Sequence, residues 1–423
     1  MNMLQSVRGM RDILPVDARR WRHVEDTVRR VLLGYAYEEL QLPLLEPTEL
    51  FTRGVGETTD IVEKEMYSLP DRDGESLTLR PEGTAGCVRA LLQHGLLFNQ
   101  TQRVFYAGPM FRYERPQKGR YRQFQQIGAE AFGLPGPDVD VELMALARRC
   151  FEALGVLGRV RLEINTLGAP AARAAYRAAL VDYLTPHVAA LDADSQRRLA
   201  RNPLRILDSK DPGTQQVLAN APDLGSFIDP DSARHFDDLK SLLQALDIPY
   251  VVNPRLVRGL DYYTQTVFEW VTQDLGAQGA VCAGGRYDGL VEELGGRPTP
   301  AAGFGMGLDR LVLLHEQVAQ DAVTAAADLY VCVLDDDSQP WAFEVAEKLR
   351  AALPTFRIRL HAGGGKLKNQ LKRADQCGAR YAVMIGSSER AASTATLKHL
   401  RDDRPQASLG LAALVAEVAN GPR

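Results

Sequence analysis

The sequence predicts an α+β protein of two or three domains that ends in a smaller α/β domain. Three observations carry this expectation. The chain has 423 residues, more than one hydrophobic core ordinarily holds. In segment 103–133, two strand-like runs, RVFYAGPMFRYE and QFQQIGAEAFG, flank the polar stretch ERPQKGRYR, the pattern of a long hairpin. Beyond residue 328 strand-like and helix-like runs alternate, as in a compact α/β domain of about 100 residues.

Residues 17–33 read as a helix. Between Leu40 and Arg80, short apolar runs are interrupted by Pro43, Pro47, Gly54, Gly56 and Pro70, which suggests strands and exposed loops. After the hairpin, Val139, Leu143, Leu146, Ala147, Cys150, Phe151 and Leu154 form one apolar face at helical spacing. VRLEIN at 160–165 reads as a strand. Residues 171–200 are rich in Ala, Arg and Leu, and 202–230 carry four prolines with little strand pattern. We therefore expect a mostly helical inserted module at 171–231. Strand-like sequence returns at 250–290, and GFGMG passes into the helical LDRLVLLH across 303–315. A polar, small-residue linker is expected at 317–327. The divisions are thus 1–170 with 232–320, 171–231, and 326–423.

Composition excludes several classes. Hydrophobic residues make up 45% and charged residues 25%, normal for a folded globular chain. No apolar run approaches the roughly 20 residues that span a bilayer. Met1 to Pro15 lacks the apolar core of a secretory signal, so a cytoplasmic location is expected. The five scattered cysteines contain no CxxC, which argues against a disulfide framework or a cysteine zinc site. A net charge of −4 is not that of a general nucleic-acid binder. The exception is 357–380, where seven Lys or Arg stand against Asp375 alone. Such a patch suits either a phosphate backbone or a solvated helix face.

GxxxxGK[ST], HExxH and GxSxG motifs are absent. Gly303, Gly305 and Gly307 form G-x-G-x-G, which taken alone more often marks tight strand packing than phosphate contact. More informative are charges set in apolar runs. These are Glu82 in LRPEGTA, Arg112 in MFRYERP, Glu130 beyond the same hairpin's loop, Arg258 in LVRGLDYY and Arg310 in GLDRL. Charges in such surroundings must be paired. Either they form internal salt bridges, or the arginines converge on a polyphosphate and the acids on a cationic ligand.

These segments resemble the class II aminoacyl-tRNA synthetases, and among them the histidyl-tRNA synthetase family. VRGMRDILP is similar to the family's start. LPLLEPTELFTRGVGETTDIVEKEMYSL resembles motif 1 and the stretch just after it, FRYERPQKGRYRQFQQIGAE motif 2, and GFGMGLDRL motif 3. LVRGLDYYTQTVFE at 256–269 and AGGRYDGL at 283–290 resemble segments specific to the histidine enzyme, and the likeness runs almost end to end.

The resemblance implies a catalytic domain built on a mostly antiparallel six-stranded sheet flanked by helices, a helical insertion near the acceptor arm of tRNA, and a C-terminal anticodon-binding α/β domain. It implies a homodimer through motif 1 and a histidine–tRNA ligase that uses ATP and Mg²⁺. By motif, Arg112 and Arg310 are expected on the ATP phosphates, Arg258 on the α-phosphate, and Phe124 on adenine. Glu82, Thr84 and Gln126 are expected at the α-amino end of histidine, with Glu130, Tyr263 and the adjacent Tyr262 at its imidazole. The motif 2 loop, Glu114 to Arg122 with Arg115, Gln117 and Arg120, is expected near the acceptor end of tRNA(His). The resemblance names no metal ligands. The competing reading is a non-catalytic relative, the regulatory subunit of ATP phosphoribosyltransferase. Relatives of that kind lack the anticodon-binding domain and lose parts of the arginine-bearing motifs.

Overall fold

The computed structural model describes residues 3–57, 59–276, 279–319 and 325–421. The chain forms two compact units, Trp21–Val318 together with Met1–Ile13, and Ala319–Arg423 together with Leu14–Arg20.

The chain opens with helix α1 (Pro15–Gly34) and the two-residue strand β1 (Glu38–Glu39). Next come β2 (Leu45–Pro47), α2 (Thr48–Val55), β3 (Tyr67–Pro70) and β4 (Ser76–Leu79), with β4 pairing antiparallel to both β2 and β3. A π-helical turn, Ile61–Glu65, lies between α2 and β3. The sequence suggests only strands and loops here. Helix α2 escapes a periodicity reading because it is 8 residues long and flanked by Pro47 and Gly56, yet it buries Leu50, Phe51 and Val55. Helix α3 (Thr84–Gln93) leads into the expected hairpin of β5 (Gln102–Phe111) and β6 (Gln123–Phe132). Helix α4 (Pro137–Ala153) starts on a proline with Asp138 in its first turn, and buries the apolar stripe read from its spacing.

Strand β7 (Arg161–Thr166) is followed by helices, α5 (Pro170–Leu184), α6 (Ala193–Arg201), α7 (Pro212–Leu218) and α8 (Pro230–Ala245), joined by 3₁₀ turns, and the stretch 171–231 expected as a helical module ends at the start of α8. Asp192, Asp211 and Asp229 cap α6, α7 and α8 by accepting backbone N–H bonds. The chain returns through β8 (Tyr250–Val252), β9 (Thr264–Val271), β10 (Ala280–Arg286), α9 (Leu290–Glu293), β11 (Ala301–Gly307) and α10 (Leu308–Val318).

The main sheet runs β1-β5-β6-β11-β10-β9-β7-β8. Its central six strands are antiparallel throughout, as expected. Short parallel strands at each edge, β1 on β5 and β8 on β7, extend it to eight. Buried Arg286 ties β10 to α4 by donating to Asp140 at 2.7 Å and to the carbonyl of Leu134 at 2.6 Å.

The linker expected at 317–327 includes the end of α10, and its residues 320–324 lie outside the described residues. The second unit carries β12 (Leu329–Val333), α11 (Gln339–Ala352), β13 (Ile358–Leu360), α12 (Leu367–Gln376), β14 (Tyr381–Ile385), α13 (Ser387–Ala392), β15 (Thr394–His399), β16 (Ala407–Gly410) and α14 (Leu411–Asn420). Its five-stranded sheet has the order β13-β12-β14-β15-β16, parallel in its first three strands. In the basic stretch 357–380, Arg357 pairs with Asp328 at 2.7 Å, while the stretch's one acid, Asp375, pairs with Arg401 outside it at 2.5 Å.

Candidate active site

Successive residues of a strand point to opposite faces. On β6, Ile127, Ala129 and Ala131 pack with Val139, Leu143 and Leu311 in the main core. The alternate positions Phe124, Gln126, Gly128 and Glu130 therefore face the other way, toward a cavity. On the neighbouring β11, Phe304 and Met306 enter the same core, which turns Gly303, Gly305 and Gly307 to the cavity face. At Gly303 and Gly305 a side chain would collide with the neighbouring strand. A Cβ at Gly303 would sit 1.7 Å from Oε2 of Glu130, and one at Gly305 would sit 2.3 Å from Nε2 of Gln126. The G-x-G-x-G pattern is thus tight packing, and it serves the site by leaving room for two polar side chains of the adjacent strand.

One end of the cavity is acid and hydroxyl. Glu130, 1% exposed, accepts hydrogen bonds from Thr84 Oγ1 at 2.8 Å, Tyr106 Oη at 3.1 Å and Tyr287 Oη at 2.5 Å. Burial pushes its carboxyl up to about 8, against the opposing pull of these hydroxyls. The Tyr106 ring is held between two glycines, because a Cβ at Gly83 or Gly128 would come within 2.2 Å of it. Glu82 caps the start of α3, accepting from the backbone N–H of Thr84 at 2.7 Å and of Ala85 at 2.9 Å. Burial raises its carboxyl and those two N–H groups oppose the rise. Tyr262, Tyr263 and Tyr287 form an aromatic cluster beside them, with ring centroids 4.7 to 6.4 Å apart.

The other end is guanidinium. Arg112, Arg120 and Arg310 line the same cavity as Glu82, Thr84, Gln126, Tyr262 and Tyr263. Arg112 donates to the carbonyl of Pro81 at 2.8 Å and lies 5.3 Å from the centre of the Phe124 ring. Arg310 donates to the carbonyls of Gly119 at 3.2 Å and Ala280 at 2.5 Å. Burial, then the charges of Arg120 and Arg112, lowers Arg310 to about 10. Burial lowers Arg112 and Arg120 as well. Arg258 also lines the cavity, ion-paired to Glu269 of β9 and 5.5 Å from the Tyr263 ring, and its buried Nε has no protein partner. Burial depresses Arg258, and Glu269 together with Tyr263 and Tyr262 outweighs it, so its pKa is raised.

Of the residues singled out from sequence, Glu82, Thr84, Arg112, Phe124, Gln126, Arg258, Tyr262, Tyr263 and Arg310 meet at this cavity. Glu130 lies against it through Thr84 and Tyr106. Arg120 lines the cavity beside the other arginines, and Arg115 and Gln117 are exposed in the loop between β5 and β6. Sequence reasoning missed Tyr106, Glu269, Tyr287 and Asp309. Tyr287 stands inside AGGRYDGL and Glu269 ends LVRGLDYYTQTVFE, so the motifs held that signal. Asp309 bonds the backbone N–H of Gln125 at 2.8 Å and pairs with Arg11 at 3.0 Å, which fastens VRGMR to motifs 2 and 3. Nothing local in the sequence points to that link.

Comparison with known proteins agrees with this geometry. Residues 9–311 match the family described as histidyl-tRNA synthetase, and residues 328–420 match the anticodon binding domain. The apo histidyl-tRNA synthetase of S. aureus is 33% identical over 98% of this chain and 99% of its own, with a TM-score of 0.79. That of Nostoc sp. PCC 7120 shares the fold at 21% identity and a TM-score of 0.72, over 99% of both chains. A Bacillus halodurans protein titled an ATP phosphoribosyltransferase regulatory subunit/histidyl-tRNA synthetase shares it at 22% identity and a TM-score of 0.65, over 92% of this chain and 99% of its own. The anticodon-binding unit separates this chain from the expected pattern of the regulatory relatives. With its antiparallel catalytic sheet, its paired acid and arginine ends and that second unit, the chain belongs to the histidyl-tRNA synthetase family of class II aminoacyl-tRNA synthetases, the histidine–tRNA ligases.

Proposed function

We propose that this cavity joins L-histidine to ATP and then passes histidine to tRNA(His), with the roles divided between its two ends. The observation that supports this reading is one cavity with the hydroxyl-bonded carboxyl of Glu130 against one end and three mutually repelling arginines lining the other. Glu82, Thr84 and Gln126 bind the ammonium group of histidine. Glu130 and Tyr263, with Tyr262 beside them, read the imidazole, whose two ring nitrogens need one acceptor and one donor when neutral. A competitor without those groups leaves buried polar atoms unpaired, a penalty that discriminates by roughly 10⁴–10⁵.

Arg112, Arg120 and Arg310 hold the phosphates, and adenine stacks on Phe124. A histidine carboxylate oxygen attacks the α-phosphorus, the bond to the bridging oxygen breaks, and pyrophosphate leaves. The carboxylate is already ionised near neutral pH, so no general base is needed. The barrier is the crowding of negative charge, which Arg258 relieves at the α-phosphate by electrostatic stabilisation. Among the described residues no group of three His, Cys, Asp or Glu side chains is placed to hold a metal. Mg²⁺ would accompany ATP and help neutralise the charge on its phosphates.

We read residues 1–170 with 232–320 as the catalytic domain, 171–231 as the insertion and 326–423 as the anticodon reader. The motif 2 loop, through Arg115 and Gln117, faces the acceptor end of tRNA. The working form is a cytoplasmic homodimer; no helix among the described residues is long and apolar enough to cross a membrane. The test is ATP–pyrophosphate exchange with each of the twenty amino acids, without tRNA. Exchange with histidine alone is expected. Exchange with another amino acid overturns the pocket assignment, and no exchange from folded protein favours the regulatory reading.

A further inference from the structure

The helical insertion does more than flank the sheet. Arg173 on α5 reaches under the segment 258–263 and donates through Nη1 to two of its carbonyls, that of Asp261 at 3.1 Å and, more closely, that of Tyr263. Asn202, just after α6, donates to Oδ1 of Asp261 at 3.0 Å. The backbone N–H of Asp261 bonds the carbonyl of Val55 at 3.2 Å, and Gly56 permits the approach. Gly56 has φ 102°, and a Cβ there would lie 2.6 Å from Oδ2 of Asp261.

A second set of contacts joins the insertion to the π-helical turn. Arg198 pairs with Asp60 at 2.9 Å and Arg201 with Glu63 at 2.7 Å. At the end of that turn the carbonyl of Glu65 accepts from the backbone N–H of Tyr113, the residue after Arg112. The insertion therefore grips both backbone segments that present Arg112, Arg258, Tyr262 and Tyr263 to the cavity.

We propose that the insertion is a positioning element for histidine activation itself, independent of tRNA, with Arg173 as its principal residue. One guanidinium nitrogen bonded to carbonyls two residues apart fixes the turn that aims Tyr262 and Tyr263, and Arg258 enters from the same segment. A reacting group displaced by about 1 Å costs on the order of 10²-fold in rate. Freeing a turn that retains its other bonds costs less, about tenfold. The inference rests on the assignment of histidine to this cavity.

Pyrophosphate exchange by the full-length chain, without tRNA, tests it. Arg173→Ala is expected to lower kcat/KM for histidine about tenfold or more, mainly through KM, with KM for ATP changed less than about twofold. Arg173→Lys, which keeps a cationic donor on a flexible stem, recovers part of the loss. Arg234→Ala, which breaks only a local pair with Asp231 on α8, exchanges like the parent chain. Wild-type exchange in Arg173→Ala, with the defect confined to charging of tRNA, overturns the proposal. So does an equal loss toward both substrates with no recovery in Arg173→Lys. If Arg173→Ala does not fold, Asn202→Ala carries the test: a several-fold rise in KM for histidine supports positioning, and an unchanged value overturns it. A parent chain that exchanges no histidine at all instead sinks the histidine assignment, a distinct failure.

Discussion

The two ends of the cavity treat buried charge in opposite ways. At the Glu130 end, burial pushes a carboxyl up to about 8 while three hydroxyls donate to it. At the arginine end, burial and mutual repulsion lower Arg310 to about 10, and the partners of the four arginines there include backbone carbonyls, Glu65, Glu114 and Glu269. At the first end three hydroxyls hold Glu130 while the buried Oε1 of Gln126 has no protein partner, and under the proposed function a ligand there must match those hydrogen bonds. At the second, under the proposed function, a polyphosphate relieves the repulsion among the arginines. On the proposed reading, selectivity sits at the hydroxyl-bonded carboxyl and catalytic electrostatics at the clustered arginines.

The largest effect that sharpens this contrast is at Arg258. Arg258→Ala removes the donor proposed to meet charge developing on the α-phosphorus and leaves Glu269 without its ion-pair partner. Histidine-dependent exchange is expected to fall by at least roughly 10²–10³-fold in kcat. A rate within a few-fold of the parent would falsify the assignment of transition-state stabilisation to this residue.

Next is Glu130→Gln, which keeps shape and removes the titratable carboxyl. One carboxyl oxygen becomes an NH₂ group facing a hydroxyl that now donates, so the network is mismatched at one or more of its three bonds. We expect kcat/KM for histidine to fall about 10²-fold, ~2.7 kcal/mol, with little change in KM for ATP. Equal losses toward both substrates would erase the division between the ends.

What the sequence makes legible depends on range along the chain. The hairpin and α4 are readable because period-2 and period-3.6 patterns are local. Arg112, Arg258 and Arg310 are readable because each stands in a motif. The bonds that give Glu130 its character are not, since Tyr106 and Tyr287 reach it across 24 and 157 residues of sequence. Gly303 reads as packing and is packing, but only the pairing of β11 with β6 shows which side chain it accommodates. Helix α2 is hidden by its shortness. Among buried arginines, sequence alone does not separate the structural Arg286, bonded to Asp140 and two carbonyls, from the cavity-lining Arg112.

A pH series tests the Glu130 end more gently. Glu130 keeps its proton below about 8, and free imidazole loses its own above about 6.5. If the complex holds one proton between them, binding between those values neither takes up nor releases one. Above about 8 the complex must take up a proton, and below about 6.5 it must release one, so affinity falls by up to tenfold per pH unit on each side. Calorimetric titration with histidine alone, in buffers of different ionisation enthalpy, measures both affinity and proton count. Affinity flat from pH 6 to 9 would remove Glu130 from imidazole recognition.

The smallest effect is the most diagnostic of the network. Tyr287→Phe deletes one donor to Glu130, and the hydroxyl it removes is one that holds the carboxyl's pKa down. The carboxyl should therefore titrate higher, and the alkaline limb of histidine affinity should move to higher pH while the acid limb, set by the free imidazole, stays in place. Stability should drop by about 1 kcal/mol, the usual worth of one hydrogen bond. A purely structural tyrosine would lower the unfolding midpoint and leave both limbs where they are. Movement of the alkaline limb alone is the signature of a residue acting through Glu130.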